Sequence, residues 1–231
     1  MEFSPEETTA IFLSLKVAAW SVAASLPFAV AVGYLLARAD FPGKTLFDAL
    51  VHLPLVLPPV VIGFLLLLLF GRNGPLGAAL DRWFGIVFAF RWTGAALAAA
   101  IMGFPLMVRA IRLSVTAIDR RLEVAARTLG ASPARVFLTI TLPLAFPGII
   151  AGALLSFARS LGEFGATITF VSNIPGETQT LPIAIYDATQ IPGGDWQALR
   201  LSLVAVALSI GALAASEWLT RRARLQWGPW R

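Results

Sequence analysis

Two sets of residues in this chain have types and spacing suited to chemistry. The first is Arg159 and Glu163, four apart in the apolar run Phe157-Ala-Arg-Ser-Leu-Gly-Glu-Phe-Gly. On a helix that spacing puts both side chains on one face, within reach of each other. Charges at membrane depth are rare, and those present are paired or functional. Two readings stay open: a functional charge at membrane depth, or an ion pair that only holds one helix together. Ser156, Ser160, Thr167 and Thr169 lie around the pair and offer weak polar contacts. The groups that catalysis needs are missing. With no cysteine and one histidine, His52, the chain cannot assemble a metal cluster or more than one Ser/His/Asp grouping. No glycine-rich loop ends in Gly-Lys-Ser/Thr, so that means of cradling nucleotide phosphates is absent. We therefore expect no catalysis by this chain alone and no cofactor of its own.

The second set is a polar run, Asp119-Arg-Arg-Leu-Glu-Val-Ala-Ala-Arg-Thr-Leu-Gly130. Asp119 suits a helix N-cap and Gly130 the position just past a helix end. Leu122, Ala125, Ala126 and Leu129 fall at i, i+3, i+4 and i+7 and form one apolar face. Glu123 and Arg127 read as an i, i+4 pair on the other side. Ser132-Pro133 opens a second helix, with serine as N-cap and proline at the first position. The first helix is too short and too charged to span a bilayer. It reads either as a stiff rod seated in a groove of another protein or as an amphipathic helix lying on the membrane.

The elements that must position these residues are apolar. The chain has 231 residues, of which 58% are hydrophobic and 13% charged, and its mean hydropathy is +0.78. Soluble domains run to roughly 45–50% apolar and about 25% charged. Too few polar groups are present to cover an outside in water. Five apolar stretches, 11–37, 49–70, 86–113, 144–171 and 199–219, are each long enough to cross a bilayer. A hydrocarbon core of ~30 Å needs ~20 residues at ~1.5 Å each. The expected fold class is an all-α membrane protein, a polytopic bundle of about five transmembrane helices forming one domain over 1–231. The acidic start, Met-Glu-Phe-Ser-Pro-Glu-Glu, lacks the basic flank of a removable signal peptide. The pI near 10.7 does not point to nucleic acid, because the charges sit in short runs between apolar stretches.

With five spans and an outside N-terminus, the inner segments carry twelve basic residues: Arg38, Lys44, Arg109, Arg112, Arg120, Arg121, Arg127, Arg135, Arg221, Arg222, Arg224 and Arg231. The outer ones carry five: Lys16, Arg72, Arg82, Arg91 and Arg200. Basic loops stay in the cytoplasm, so the N-terminus is expected in the periplasm and the C-terminus in the cytoplasm. Segment 71–84 then reads as an external turn region, 114–143 as the long cytoplasmic loop and 172–198 as a long external loop. Pro54, Pro58 and Pro59 predict a kink or break in the second span. A pore-lining bend and a static packing kink are both open there, and again at Phe104-Pro105. Gly148-Ile-Ile-Ala-Gly152 offers a small-residue face for close helix approach, and His52 is expected near the inner interface.

The spacing of Ala125, Ala126, Gly130, Ile140, Leu142 and Pro143 resembles the EAA loop of binding-protein-dependent ABC importer permeases. One position departs from that pattern: Val124 stands where a glutamate is usual, and Glu123 sits one residue earlier. Three further segments, His52–Gly63, Phe157–Ala166 and Thr169–Pro182, look like the molybdate permeases of that family. Sulfate permeases share a similar Gly-Glu-Phe-Gly segment. The resemblance implies a type I ABC importer fold (MetI-like) and a coupling role for Glu123, Ala125, Ala126, Arg127, Gly130, Ile140 and Pro143. It implies a path or gate near Pro58, Pro59, Ser156, Arg159, Ser160, Glu163, Thr167 and Thr169. The implied partners are a second copy of the chain, two copies of an ATPase subunit that carry the ATP and Mg, a periplasmic oxyanion-binding protein and the lipid bilayer, with no nucleic acid. The implied location is the inner membrane and the implied cargo molybdate, with sulfate or tungstate as alternatives. A channel or secondary transporter is a rival of another class.

Overall fold

The computed structural model describes residues 3–227; Arg231, one of the basic residues counted above, lies outside them. Helix α1, Pro5–Arg38, begins in a capping box. The Ser4 hydroxyl accepts from the Glu7 amide at 3.2 Å, and the Glu7 carboxylate accepts from the Ser4 amide at 2.7 Å. This pairing satisfies two amides that a helix start leaves open. α1 buries a stripe of small residues, Ala10, Ser14, Ala18, Ser25, Ala29 and Gly33, spaced to line one face. Small side chains let helix backbones approach closely in a bilayer, where packing rather than water exclusion drives association. α5, Trp92–Thr116, supplies the matching surface, with Ala95, Ala98, Ala99, Met102, Met107, Val108 and Ile111 buried. It runs unbroken through Pro105.

Four helical stretches are long and apolar enough to cross a membrane: Pro5–Arg38, Trp92–Thr116, Pro133–Leu161 and Asp195–Leu219. Taken together, α2, Lys44–Val56, and α3, Pro59–Phe70, are also long and apolar enough for a span, and they are bent by 111° at the break between them. The break falls at Leu57-Pro58, as the prolines predict. At the turn before α2, Lys44 donates a 3.0 Å bond to Asp40, and this bond with the ammonium charge holds the carboxyl below its usual range.

Several sequence expectations need correction. The third apolar stretch is helical only from Trp92; 86–91 is irregular, with Phe90 at φ 59°. The fourth does not run as one helix over 144–171. α8, Leu142–Leu161, stops before Gly162, and a separate helix α9, Gly165–Val171, follows. Both pieces are apolar, so composition alone reads through the glycines between them. The external turn region contains a helix, α4, Pro75–Phe84, with Pro75 at its first turn. The long external loop contains α10, Leu181–Thr189, before the last helix α11, Asp195–Trp227.

Gly148 and Gly152 of α8 do pack tightly on α5. A Cβ on Gly148 would stand 2.2 Å from the Ser114 side chain, and one on Gly152 would stand 3.1 Å from Ala110 and from the Met107 carbonyl. At the other end of the bundle, Glu7 is buried and its Oε1 meets Arg200 of α11 at 2.5 Å. Breaking a buried pair leaves an uncompensated charge, but here the arginine keeps about a third of its side-chain surface in solvent. Glu7→Ala is therefore expected to lower stability by about 1–3 kcal/mol, read as a lower unfolding temperature of the purified protein in detergent.

Candidate coupling site and broken-helix pair

The polar run folds as the helix its caps dictate. α6, Arg120–Thr128, starts at Asp119, whose carboxylate accepts from the Arg121 amide at 2.9 Å. It ends in a Schellman pattern: the Gly130 amide donates to Arg127 O at 3.0 Å and the Ala131 amide to Ala126 O at 3.0 Å, with Gly130 at φ 85°. Next come α7, Pro133–Val136, capped by the Ser132 hydroxyl, and a π-helical turn, Phe137–Thr141, that leads into α8. Such turns are rare and concentrate at functional sites.

Glu123 is not paired with Arg127. It points inward, 6% exposed, and its Oε1 accepts from Arg38 Nε at 3.1 Å and from the Thr141 hydroxyl at 2.8 Å. Arg38 also donates to Ile118 O at 3.0 Å. Three elements, the end of α1, α6 and the π-helical turn, thus share one buried carboxylate. The physical reason is that Glu123 sits on the side of α6 facing the bundle, where a charge must find a partner. Turning Glu123 inward leaves Leu122 and Leu129 on one outer flank of α6 and Val124 on the other, at 49%, 89% and 57% exposed. Ala125 and Arg127 are exposed with them and Ala126 is half-buried. Ile140 lies half-buried in the π-helical turn and Pro143 half-buried at the start of α8. Sequence reasoning missed Arg38 and Thr141. The only local sign of Arg38 is a lone basic residue closing the first span.

The second candidate region joins two interrupted helices. Pro59, just past the break of α2/α3, lies against Gly165, which opens α9 after the break from α8. A Cβ on Gly165 would come within 2.8 Å of Pro59 Cβ, and one on Gly63 within 2.5 Å of Ala166 O and 2.8 Å of Thr169 Cβ. Non-helical backbone at membrane depth is tolerated where it is buried in protein or lines a cavity. Arg159 Nη1 stands 2.7 Å from Glu163 Oε2, a contact of charge without the alignment of a hydrogen bond. The other oxygen of Glu163 accepts from the Ala166 amide at 2.9 Å and so caps the start of α9. Glu163 is buried, whereas the Arg159 side chain is 30% exposed. The hydroxyls fall elsewhere. Ser156 is fully buried against Gly103 of α5. Ser160 is buried and accepts from the Ser21 hydroxyl of α1 at 3.0 Å. Thr167 is buried, and Thr169 donates back to Gly165 O at 2.8 Å.

An apolar bundle interrupted at two facing breaks, with a capped polar helix projecting from it, is accompanied by a family match. Residues 29–225 match the family described as binding-protein-dependent transport system inner membrane component. The chain belongs to that family. A molybdenum transport system permease protein, ModB, of Escherichia coli K12 is 59% identical over 224 residues, covering 97% of this chain and 98% of that one. A sulfate transport system permease protein, CysW, of Synechococcus elongatus is 38% identical over 179 residues, covering 78% of this chain and 62% of that one. Among solved structures, a bacterial alginate ABC transporter in complex with a pentasaccharide-bound periplasmic protein superimposes with a TM-score of 0.75 at 17% identity, over 95% of this chain and 80% of that one. At that identity the likeness speaks to the fold. The chain is thus an inner-membrane, multi-pass ABC importer permease, all-helical among its described residues.

Proposed function

We propose that this chain is the permease subunit of an ATP-driven importer for molybdate, working as one domain over residues 1–231. The observation that carries the cargo is the 59% identity, over nearly the whole of both chains, to a molybdenum permease, against 38% over part of a sulfate permease. The N-terminus lies in the periplasm and the C-terminus in the cytoplasm, supported by the distribution of basic residues. Two copies of the chain enclose the path. A periplasmic protein delivers the oxyanion, and two ATPase subunits that bind ATP and Mg supply the energy.

α6 is the coupling helix, with Ala125, Ala126, Arg127 and Gly130 on or beside the surface that a groove of the ATPase receives. The support is its exposed apolar side chains, Leu122 and Leu129 on one flank and Val124 on the other, which nothing in the described chain covers. Glu123 holds that helix from within rather than docking it. Ile140 and Pro143 carry the motion into α8. ATP binding draws two such helices together and opens the cavity toward the binding protein; hydrolysis resets the inward-facing state. The nucleotide shifts this equilibrium only by its different affinity for the two states. For the path, the half-exposed Arg159 and the Pro58-Pro59 break are the stronger candidates. Ser156, Ser160 and Thr167 are packed inside the protomer and Thr169 is tied to its own helix, so these four contribute by holding the path's wall.

The test is at Gly130. Proline fixes φ near −65° and has no amide hydrogen, so Gly130→Pro cannot keep the φ of 85° or the bond to Arg127 O. The expected outcome is a protein still inserted in the membrane whose ATP-dependent molybdate uptake falls to background. Full uptake by that variant would refute the coupling role of α6. Competition among molybdate, tungstate and sulfate in the same uptake assay decides the cargo.

A further inference from the structure

Arg109 is exposed on α5, and among the described residues no carboxylate lies within ion-pair distance of it. It stands seven residues before Thr116, the last residue of α5, and so ~10 Å inside that end of the helix. A bare guanidinium there is expensive if it meets lipid tails. It is stable beside water, a backbone carbonyl, an opposite charge or a phosphate-like anion. Arg112 lies one turn on, on the same side of the helix. Both line an open cleft of about 660 Å3 between α5 and α2, together with Thr45, Asp48 and His52.

The one carboxylate in that cleft is already engaged. Asp48 Oδ2 is 2.7 Å from Arg112 Nη1, and its other oxygen faces His52 Nδ1 at 3.1 Å. His52 Nδ1 is in turn 2.9 Å from Asp48 O. Asp48 thus neutralises Arg112 in part through its carboxylate and meets His52 through its backbone carbonyl, while Arg109 is left to face the cleft. Two guanidiniums against one carboxylate leave the cleft net positive, with five N–H donors on each arginine arranged for planar or tetrahedral oxygens.

We propose that this cleft is an inner anion site, in which Arg109 and Arg112 hold a tetrahedral oxyanion at the end of the bundle where α1 leads into α2. The opposing Asp48 keeps that hold weak and reversible, which suits an anion that must leave. The oxyanion is either free in the aqueous vestibule, in which case the site rests on the importer reading above and takes the cargo after it has crossed, or it is the phosphate of an anionic phospholipid.

The experiment uses the intact complex of this chain with its ATPase, purified in detergent without the binding protein. Thermal unfolding is followed by tryptophan fluorescence during titration with sodium tungstate at constant ionic strength, and separately with phosphatidylglycerol in mixed micelles. Wild type is expected to be stabilised. In Arg109→Ala the midpoint for one of the two probes should rise at least tenfold, and Arg109→Lys should recover most of it. Arg109→Gln serves as a second variant should the alanine protein misfold. A shifted tungstate midpoint supports the site with a free oxyanion; a shifted phosphatidylglycerol midpoint supports it with a lipid phosphate. A wild type that responds to neither probe, or an unchanged response in the Arg109 variants, overturns the proposal. Uptake by wild-type proteoliposomes supplied with the periplasmic binding protein is measured alongside. No uptake with anion binding intact would sink the importer reading and leave the site standing, and the converse pattern would do the opposite.

Discussion

Glu123→Ala is expected to lower the stability of the protein by about 3–5 kcal/mol and to uncouple transport from ATP hydrolysis. The first effect follows from burial. Arg38 has 10% of its side chain exposed and Glu123 has 8%, and removing one partner of a buried pair strands the other charge in a poor solvent. Loss of the carboxylate also leaves the Thr141 hydroxyl without its acceptor. The second effect follows from position. The same oxygen joins the end of α1, α6 and the π-helical turn, so without it α6 can tilt without moving α8. Glu123→Gln keeps the shape and an acceptor but not the charge, and should fall between wild type and alanine. Unfolding in detergent measures the first effect. The ratio of molybdate imported to ATP hydrolysed in proteoliposomes measures the second. An alanine variant with wild-type stability and ratio would show that the buried pair is dispensable.

Gly63→Ala should have the next largest effect. The added methyl would sit 2.5 Å from the Ala166 carbonyl and 2.8 Å from Thr169 Cβ. A backbone carbonyl cannot rotate away as a side-chain tip can, so α3 and α9 must part. Overpacking of this kind costs typically ~1–3 kcal/mol, and here it also displaces both broken ends of the proposed path. We expect reduced stability and uptake below a tenth of wild type. Gly211→Ala, with open space around its position in α11, is the control and should leave both unchanged.

Helix α6 is legible in the sequence because its signals are local. Asp119 and Gly130 mark its two ends through backbone chemistry confined to a few residues, and both caps form as expected. The prolines at 58 and 59 likewise announce the break, because a missing amide acts where it stands. Composition does not show pairing across the chain. Glu123 meets Arg38, 85 positions away, whereas helix spacing alone points to the nearer Arg127. The stop after Leu161 is hidden because α8 and α9 are both apolar and hydropathy does not register a turn between them. The serines of α8 look like polar lining in the sequence, yet hydroxyls can serve as small packing residues, which is how Ser156 sits against Gly103 and Ser160 against Ser21.

The bent pair α2/α3 has one further consequence. No residue of α2 is buried, while α3 is pressed onto α9 through Gly63. The two limbs of this elbow therefore answer to different neighbours: α3 is held close against α9, and α2 rests on α5 by the Asp48–Arg112 contact and a few half-buried apolar side chains. A pull on the Lys44 end of α2 can swing that limb while α3 stays seated, giving the protomer a joint whose two sides need not move in step.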